Sequence, residues 1–170
     1  MSIEIRETDA LSDEDCRRLY EWGDDIFGSG GLHLEWRPKE RHFLLFEDSQ
    51  LMSHVGVLRH AVAVGGRPVT VAGVGGVVTV PEAQKKGFAA LLMRRAAAFI
   101  AGGARVEAGF LFCLPHMVAY YEKLDWRKIG EPVFIEQPAG RLESPIGAMI
   151  LPVGDFQWPA GAIELNSWPW

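Results

Sequence analysis

The chain has 170 residues, with 17 Lys and Arg against 22 Asp and Glu, so its formal net charge is −5. At 48% hydrophobic residues, that length fills one domain over 1–170 without disulfides or a structural metal, and it excludes disorder. The acidic balance argues against a nucleic-acid partner, and no apolar run approaches the roughly 20 residues of a membrane span, so no membrane partner is expected.

The opening MSIEIRETDA lacks the basic and apolar regions of a secretion signal. Cys16 and Cys113 lie far apart with no metal-ligand spacing, so reduced thiols and a cytoplasmic location are expected. Ile3 and Ile5 alternate with polar residues, which predicts a short first strand. Ser12 before Asp13, Glu14 and Asp15 is a helix start, and Leu19, Tyr20 and Trp22 supply that helix's apolar side. Residues 23–36 are glycine-rich and read as a surface loop or a broken helix.

From His42 the pattern turns to strands: 42–47, a turn at Asp48-Ser49, then 51–64, a hairpin tip at Gly65-Gly66, and a long strand over 69–80. Gly73, Gly75 and Gly76 interrupt that last strand, and glycines there mark a bulge or a close approach by another group. After Pro81 the helical period takes over, with Phe88, Leu92, Ala96, Phe99 and Ile100 on one face and Gly102-Gly103 as the stop. A buried strand (109–114), a short helix (116–124) and two strands (131–137 and 147–153) follow, then a tail over 153–170 that holds Trp158, Trp168 and Trp170. The result is a mixed α/β (α+β) domain.

The stretch with the clearest chemistry is VVTVPEAQKKGFAALLM. A helix opening at Gln84-Lys85-Lys86-Gly87-Phe88-Ala89 has free N–H groups at its start. Small residues at Gly87 and Ala89 admit an anion, and Lys85 and Lys86 add positive charge, which suits a pyrophosphate. The same residues also fit a helix terminus whose glycine serves packing alone.

This segment resembles the acyl-CoA signature of the GCN5-related N-acetyltransferase (GNAT) superfamily, with Gln84, Gly87 and Ala89 at its three key positions and Pro81 at its entry. AYYEKLDW resembles the family's later signature, with Tyr121 on its tyrosine, Trp126 on its closing aromatic, and Asp125 in place of the usual glycine. Together the two cover about residues 42–135, in the family's order of elements. The resemblance implies the GNAT fold, a mostly antiparallel mixed sheet with a splayed pair of strands, and acetyl-CoA as donor. It also implies pantetheine contacts from Val77, Val78 and Thr79 and diphosphate contacts from Gln84, Lys85, Lys86, Gly87, Phe88, Ala89 and Ala90. Tyr121 would be the general acid that protonates the departing thiolate, being neutral at pH 7 with an ordinary pKa of about 10.

Many members carry a basic carboxylate in the long strand, whereas 69–80 here holds no ionisable side chain. Glu35 and His33 in the glycine-rich loop, and His116 before the short helix, are the substitute bases. The family's asparagine after the buried strand is replaced by Leu114-Pro115. The tail resembles those of aminoglycoside 2'-N-acetyltransferases and nodulation acyltransferases. That resemblance implies an acidic acceptor pocket lined by Asp155, Glu164 and the α-carboxylate of Trp170. The alternative is a tail docked on the core or on a second subunit of a homodimer. The implied activity is acetylation of a small-molecule primary amine, an aminosugar or aminoglycoside among the options, in resistance or housekeeping. The competing expectation is a CoA-binding module without catalysis. Gly73-x-Gly75 alone does not make a dinucleotide fingerprint, lacking its third glycine and following helix.

Overall fold

A computed structural model describes residues 1–170. Strand β1 (Ile3–Thr8) leads into helix α1 (Asp13–Tyr20). Ser12 caps that helix reciprocally: its Oγ accepts the Asp15 N–H at 3.1 Å, and Asp15 Oδ2 accepts the Ser12 N–H at 3.1 Å. An irregular stretch with one 3-10 turn (Gly30–Leu32) precedes β2 (Arg41–Glu47), β3 (Gln50–Val64) and β4 (Arg67–Thr79). Gly65 and Gly66 both take positive φ, as a two-residue hairpin turn of this hand requires. A 3-10 turn (Pro81–Ala83), α2 (Phe88–Gly102), β5 (Ala108–Cys113) and α3 (Val118–Glu122) follow. The chain closes with β6 (Arg127–Lys128), β7 (Val133–Gln137), β8 (Gly140–Glu143), β9 (Gly147–Pro152) and β10 (Ile163–Glu164). No helix is long and apolar enough to cross a membrane.

The strands run in the order β6-β9-β5-β4-β3-β10-β7-β8, with β2 also on β3 and β1 beyond it. Only β4–β5 and β7–β10 pair in parallel, so the sheet is mixed and mostly antiparallel. Alternation in β2 sends Phe43 and Leu45 to one face and Leu44 to the other. Helix α2 covers the first face through Phe88, Leu92, Met93, Ala96 and Ile100, all buried against Phe43, Val55, Val57 and Val74. On the second face, α1 seats Leu19 with Leu44, Leu51 and Val78, while Trp158 and Trp170 pack with Val71 and Phe110. Each of these large side chains contributes about 1.5–3 kcal/mol through burial.

The tail over 153–170 is therefore part of the domain's own core, with β10 paired antiparallel to the end of β3 and parallel to β7. Helix α2 begins at Phe88 rather than Gln84. Lys85 (φ 64°) and Gly87 (φ 81°) take left-handed conformations that cannot continue a helix. Strands β6, β8 and β10 escape the sequence pattern because two to four residues are too few to show alternation.

Two features of β4 open the sheet. It pairs with β5 only from Val71↔Ala108 to Val74↔Leu111, after which Gly75–Thr79 stays with β3 and the two parallel strands part. Opposite, the register passes from His54↔Val78 to Gly56↔Gly75, so Gly76 and Val77 together face Val55 in a bulge. Gly76 sits at φ 60°, which glycine adopts without strain.

Candidate active site

The parting of β4 from β5 leaves a cleft of about 410 Å³. Leu111, Cys113 and Tyr121 enter it from the core on the α2 side, and Trp170 enters from the opposite face. The cleft thus runs through the sheet and can admit two molecules from two sides. A reaction between them would take place at the bulge.

On the α2 side lies a run of uncommitted backbone donors. The N–H groups from Lys85 to Ala90 donate to no acceptor in the protein, the first helical bond being Leu91 N–H to Gly87 O at 3.1 Å. Gly87 makes the turn without a side chain over these donors. Gln84 braces it from behind, its Nε2 donating to Thr79 O at 3.1 Å. Such an array, at the positive end of a 15-residue helix, fits a diphosphate. Lys86 turns its ammonium to Glu47 at 3.0 Å, so its side chain is committed elsewhere. Among the three residues expected along pantetheine, Val77 lines the cleft; Ser53 Oγ donates to Val78 O at 2.9 Å, fixing that residue to β3. Tyr121 is buried at the cleft wall, and burial pushes its hydroxyl pKa well above the ordinary value, so it keeps its proton.

The opposite half is shaped by glycines. A Cβ on Gly73 would stand 2.3 Å from the Trp170 ring, and one on Gly75 would stand 2.9 Å from the Trp170 carbonyl carbon and 2.7 Å from Lys39 Cε. A Cβ on Gly56, the cross-strand partner of Gly75, would stand 2.4 Å from Lys39 Cγ. These glycines clear a seat for Trp170 and a channel for the lysine stem. The indole Nε1–H donates to Phe110 O at 3.1 Å and locks the ring. Behind the bulge, His54 Nδ1 lies 2.7 Å from Gly76 O. A carbonyl only accepts, so that nitrogen carries the hydrogen, and bare His54 Nε2 accepts from His42 Nδ1–H at 2.8 Å. Tyr20 Oη lies 2.9 Å from the same Nδ1 and reaches the cleft. Burial holds His54 down to about 4, neutral at ordinary pH.

The remaining expected residues do not gather here. His33, Glu35 and His116 are exposed and line no part of the cleft. Glu35 belongs to a segment pinned to β7, its N–H donating to Gln137 Oε1 at 2.8 Å and its carbonyl accepting from Gln137 Nε2 at 3.0 Å. Asp155 is exposed, and Glu164 forms an ion pair with Arg141. Of the three groups expected around the acceptor, Asp155 and Glu164 lie outside the cleft, whereas Trp170 lines it with its backbone end against Gly75. Lys39, Tyr20, Trp36 and His54 lie outside the sequence expectations, and only Gly73, Gly75 and Gly76 of β4 hint at groups pressed against the strands.

An acetyltransferase (GNAT) domain model matches residues 11–129, and the chain belongs to that family. It is an acyltransferase with acetyl-CoA as co-substrate, and the diphosphate-fitting turn of residues 85–90 lies inside the matched region. The fold is shared with YhbS, a GNAT family N-acetyltransferase from Escherichia coli in complex with CoA (TM-score 0.61, 14% identity, covering 96% of this chain and 89% of that one). It is shared too with a GNAT family acetyltransferase from Brucella melitensis in complex with acetyl-CoA (0.57, 16%, 95% and 94%). A third is the Escherichia coli ribosomal-protein-S18-alanine N-acetyltransferase (0.53, 16%, 93% and 100%). No curated protein sequence matches the chain significantly.

Proposed function

We propose that the protein transfers an acetyl group from acetyl-CoA to the primary amine of a small molecule, at the bulge where β4 leaves β5. The observation that carries this is the free N–H run over 85–90 at the start of α2, taken with Tyr121 in the wall of the cleft where β4 leaves β5. The N–H groups hold the diphosphate, and the exposed edge of β4 beyond Gly75 guides the pantetheine arm toward the bulge. As the carbon–sulfur bond breaks, Tyr121 gives its proton to the sulfur, and the proton shed by the nitrogen on becoming an amide returns through water to the phenolate. The amine enters past Trp36 and Trp170 and attacks the thioester carbonyl in its neutral form. The apolar lining favours that form, because burial without a carboxylate lowers an ammonium's pKa.

An aminoglycoside is the less favoured acceptor, since its several ammonium groups find no Asp or Glu side chain in this cleft. The absence of a lining Asp or Glu to act as base also sustains the second possibility, a CoA-binding module without turnover. Thiol release from acetyl-CoA, followed across amino acids, aryl amines, polyamines and aminoglycosides, separates the two. Amine-dependent release with repeated turnover supports the transferase. Tight CoA binding with no release from any amine supports the module instead.

A further inference from the structure

Lys39 is the one Lys, Arg, Asp or Glu lining the cleft. Its stem crosses the sheet over Gly56 and Gly75, two facing positions where even a methyl group would strike it. Glycine weakens a strand, so a facing pair that admits this lysine is a sacrifice of strand stability. The ammonium spends one N–H on Arg37 O at 3.1 Å and joins none of the seven ion pairs. Besides the backbone end of Trp170, which presses on the same Gly75, no carboxylate of the cleft answers this half-buried cation, and that is costly unless a ligand supplies charge. Burial alone pulls its pKa down to about 8. Phe27, Trp36, Phe112 and Trp170 line the same cleft.

We propose that Lys39 anchors an anionic group on the acceptor, so that the substrate of this cleft is an amine bearing a carboxylate on an apolar or aromatic body. The inference rests on the transferase function proposed above and narrows its acceptor class. Lys39 donates its two free N–H groups to the carboxylate, the aromatic side chains enclose the body, and the amine is left facing the bulge. The cleft of about 410 Å³, shared with the acetyl end of the donor, leaves room for an acceptor of amino-acid size rather than a larger one. A second cationic amine on the acceptor would meet the like charge of Lys39, which disfavours polyamines.

The test is calorimetric binding of L-phenylalanine, L-phenylalaninamide and spermidine to the CoA-saturated protein, with no turnover required. The acid should bind roughly tenfold more tightly than its amide, as expected for a charge-assisted pair. Lys39→Met should bring that ratio close to one, while Lys39→Arg should keep most of it. Equal or tighter binding of the amide or of spermidine overturns the proposal, as does binding of none of the three. CoA binding is measured first and on its own, so failure of the cofactor site is seen separately. If CoA does not bind, the same ratio is read on the free protein.

Discussion

The two halves of the cleft are built by different means. The half that fits the donor is backbone: N–H groups over 85–90, a glycine turn, and a strand edge released by the bulge. The half that fits the acceptor is made of side chains brought from distant places: Tyr20 from α1, Lys39 before β2, and Trp170 from the tail. A backbone site of this kind depends little on which side chains surround it. A side-chain site can be rebuilt without disturbing the first.

The largest effect is expected at Tyr121, in the cleft wall where β4 leaves β5. Tyr121→Phe should lower turnover about 10²-fold, with CoA affinity within a factor of a few of wild type. An unchanged rate would remove Tyr121 from the chemistry. The acceptor wall should be the costliest to disturb in stability. Gly73→Ala drives a methyl into the Trp170 ring, and overpacking of this kind costs about 1–3 kcal/mol, or roughly 2–12 °C in Tm for a chain of this size. A melting curve matching wild type would mean that Trp170 is not seated there.

The bulge itself should announce its histidine through pH. His54 has a folded pKa of about 4, below the ordinary 6.5, so the unfolded chain takes up the proton first. Its contribution is therefore complete above pH 6.5 and lost as pH falls toward 4, by up to about 3 kcal/mol. His54→Asn, which keeps a donor for Gly76 O, should flatten the acid limb of denaturant-derived stability plotted against pH. An unaltered slope would show that His54 is solvated. The smallest effect is expected at Asp125, which sits at φ 71°. Asp125→Gly should relieve strain of about 0.5 kcal/mol and raise Tm by a degree or two, with no change in activity.

The donor half was legible because its chemistry is local. Pro81, Gln84, Gly87 and Ala89 follow one another in sequence and make a turn that needs no distant partner, and Asp125 adopts the left-handed conformation expected of the residue replacing glycine. The strands with clear alternation and the Ser12 cap were legible for the same reason. The acceptor half was not, because Lys39 and Trp170 stand 131 positions apart and meet over Gly75 only after the tail has docked. The sequence pattern did reveal an intrusion on β4 through Gly73, Gly75 and Gly76, but not which groups intrude. His33, Glu35 and His116 carry ionisable groups suited to a base, but all three are exposed and line no part of the cleft.

A crystal structure of the protein with bound CoA is the decisive measurement. If donor and acceptor meet at the bulge of β4, diphosphate oxygens lie within hydrogen-bond distance of the N–H groups over 85–90, and the thiol sits beside Tyr121 at the parting of β4 and β5. CoA lying outside that cleft, or a thiol directed away from Tyr121, would contradict it.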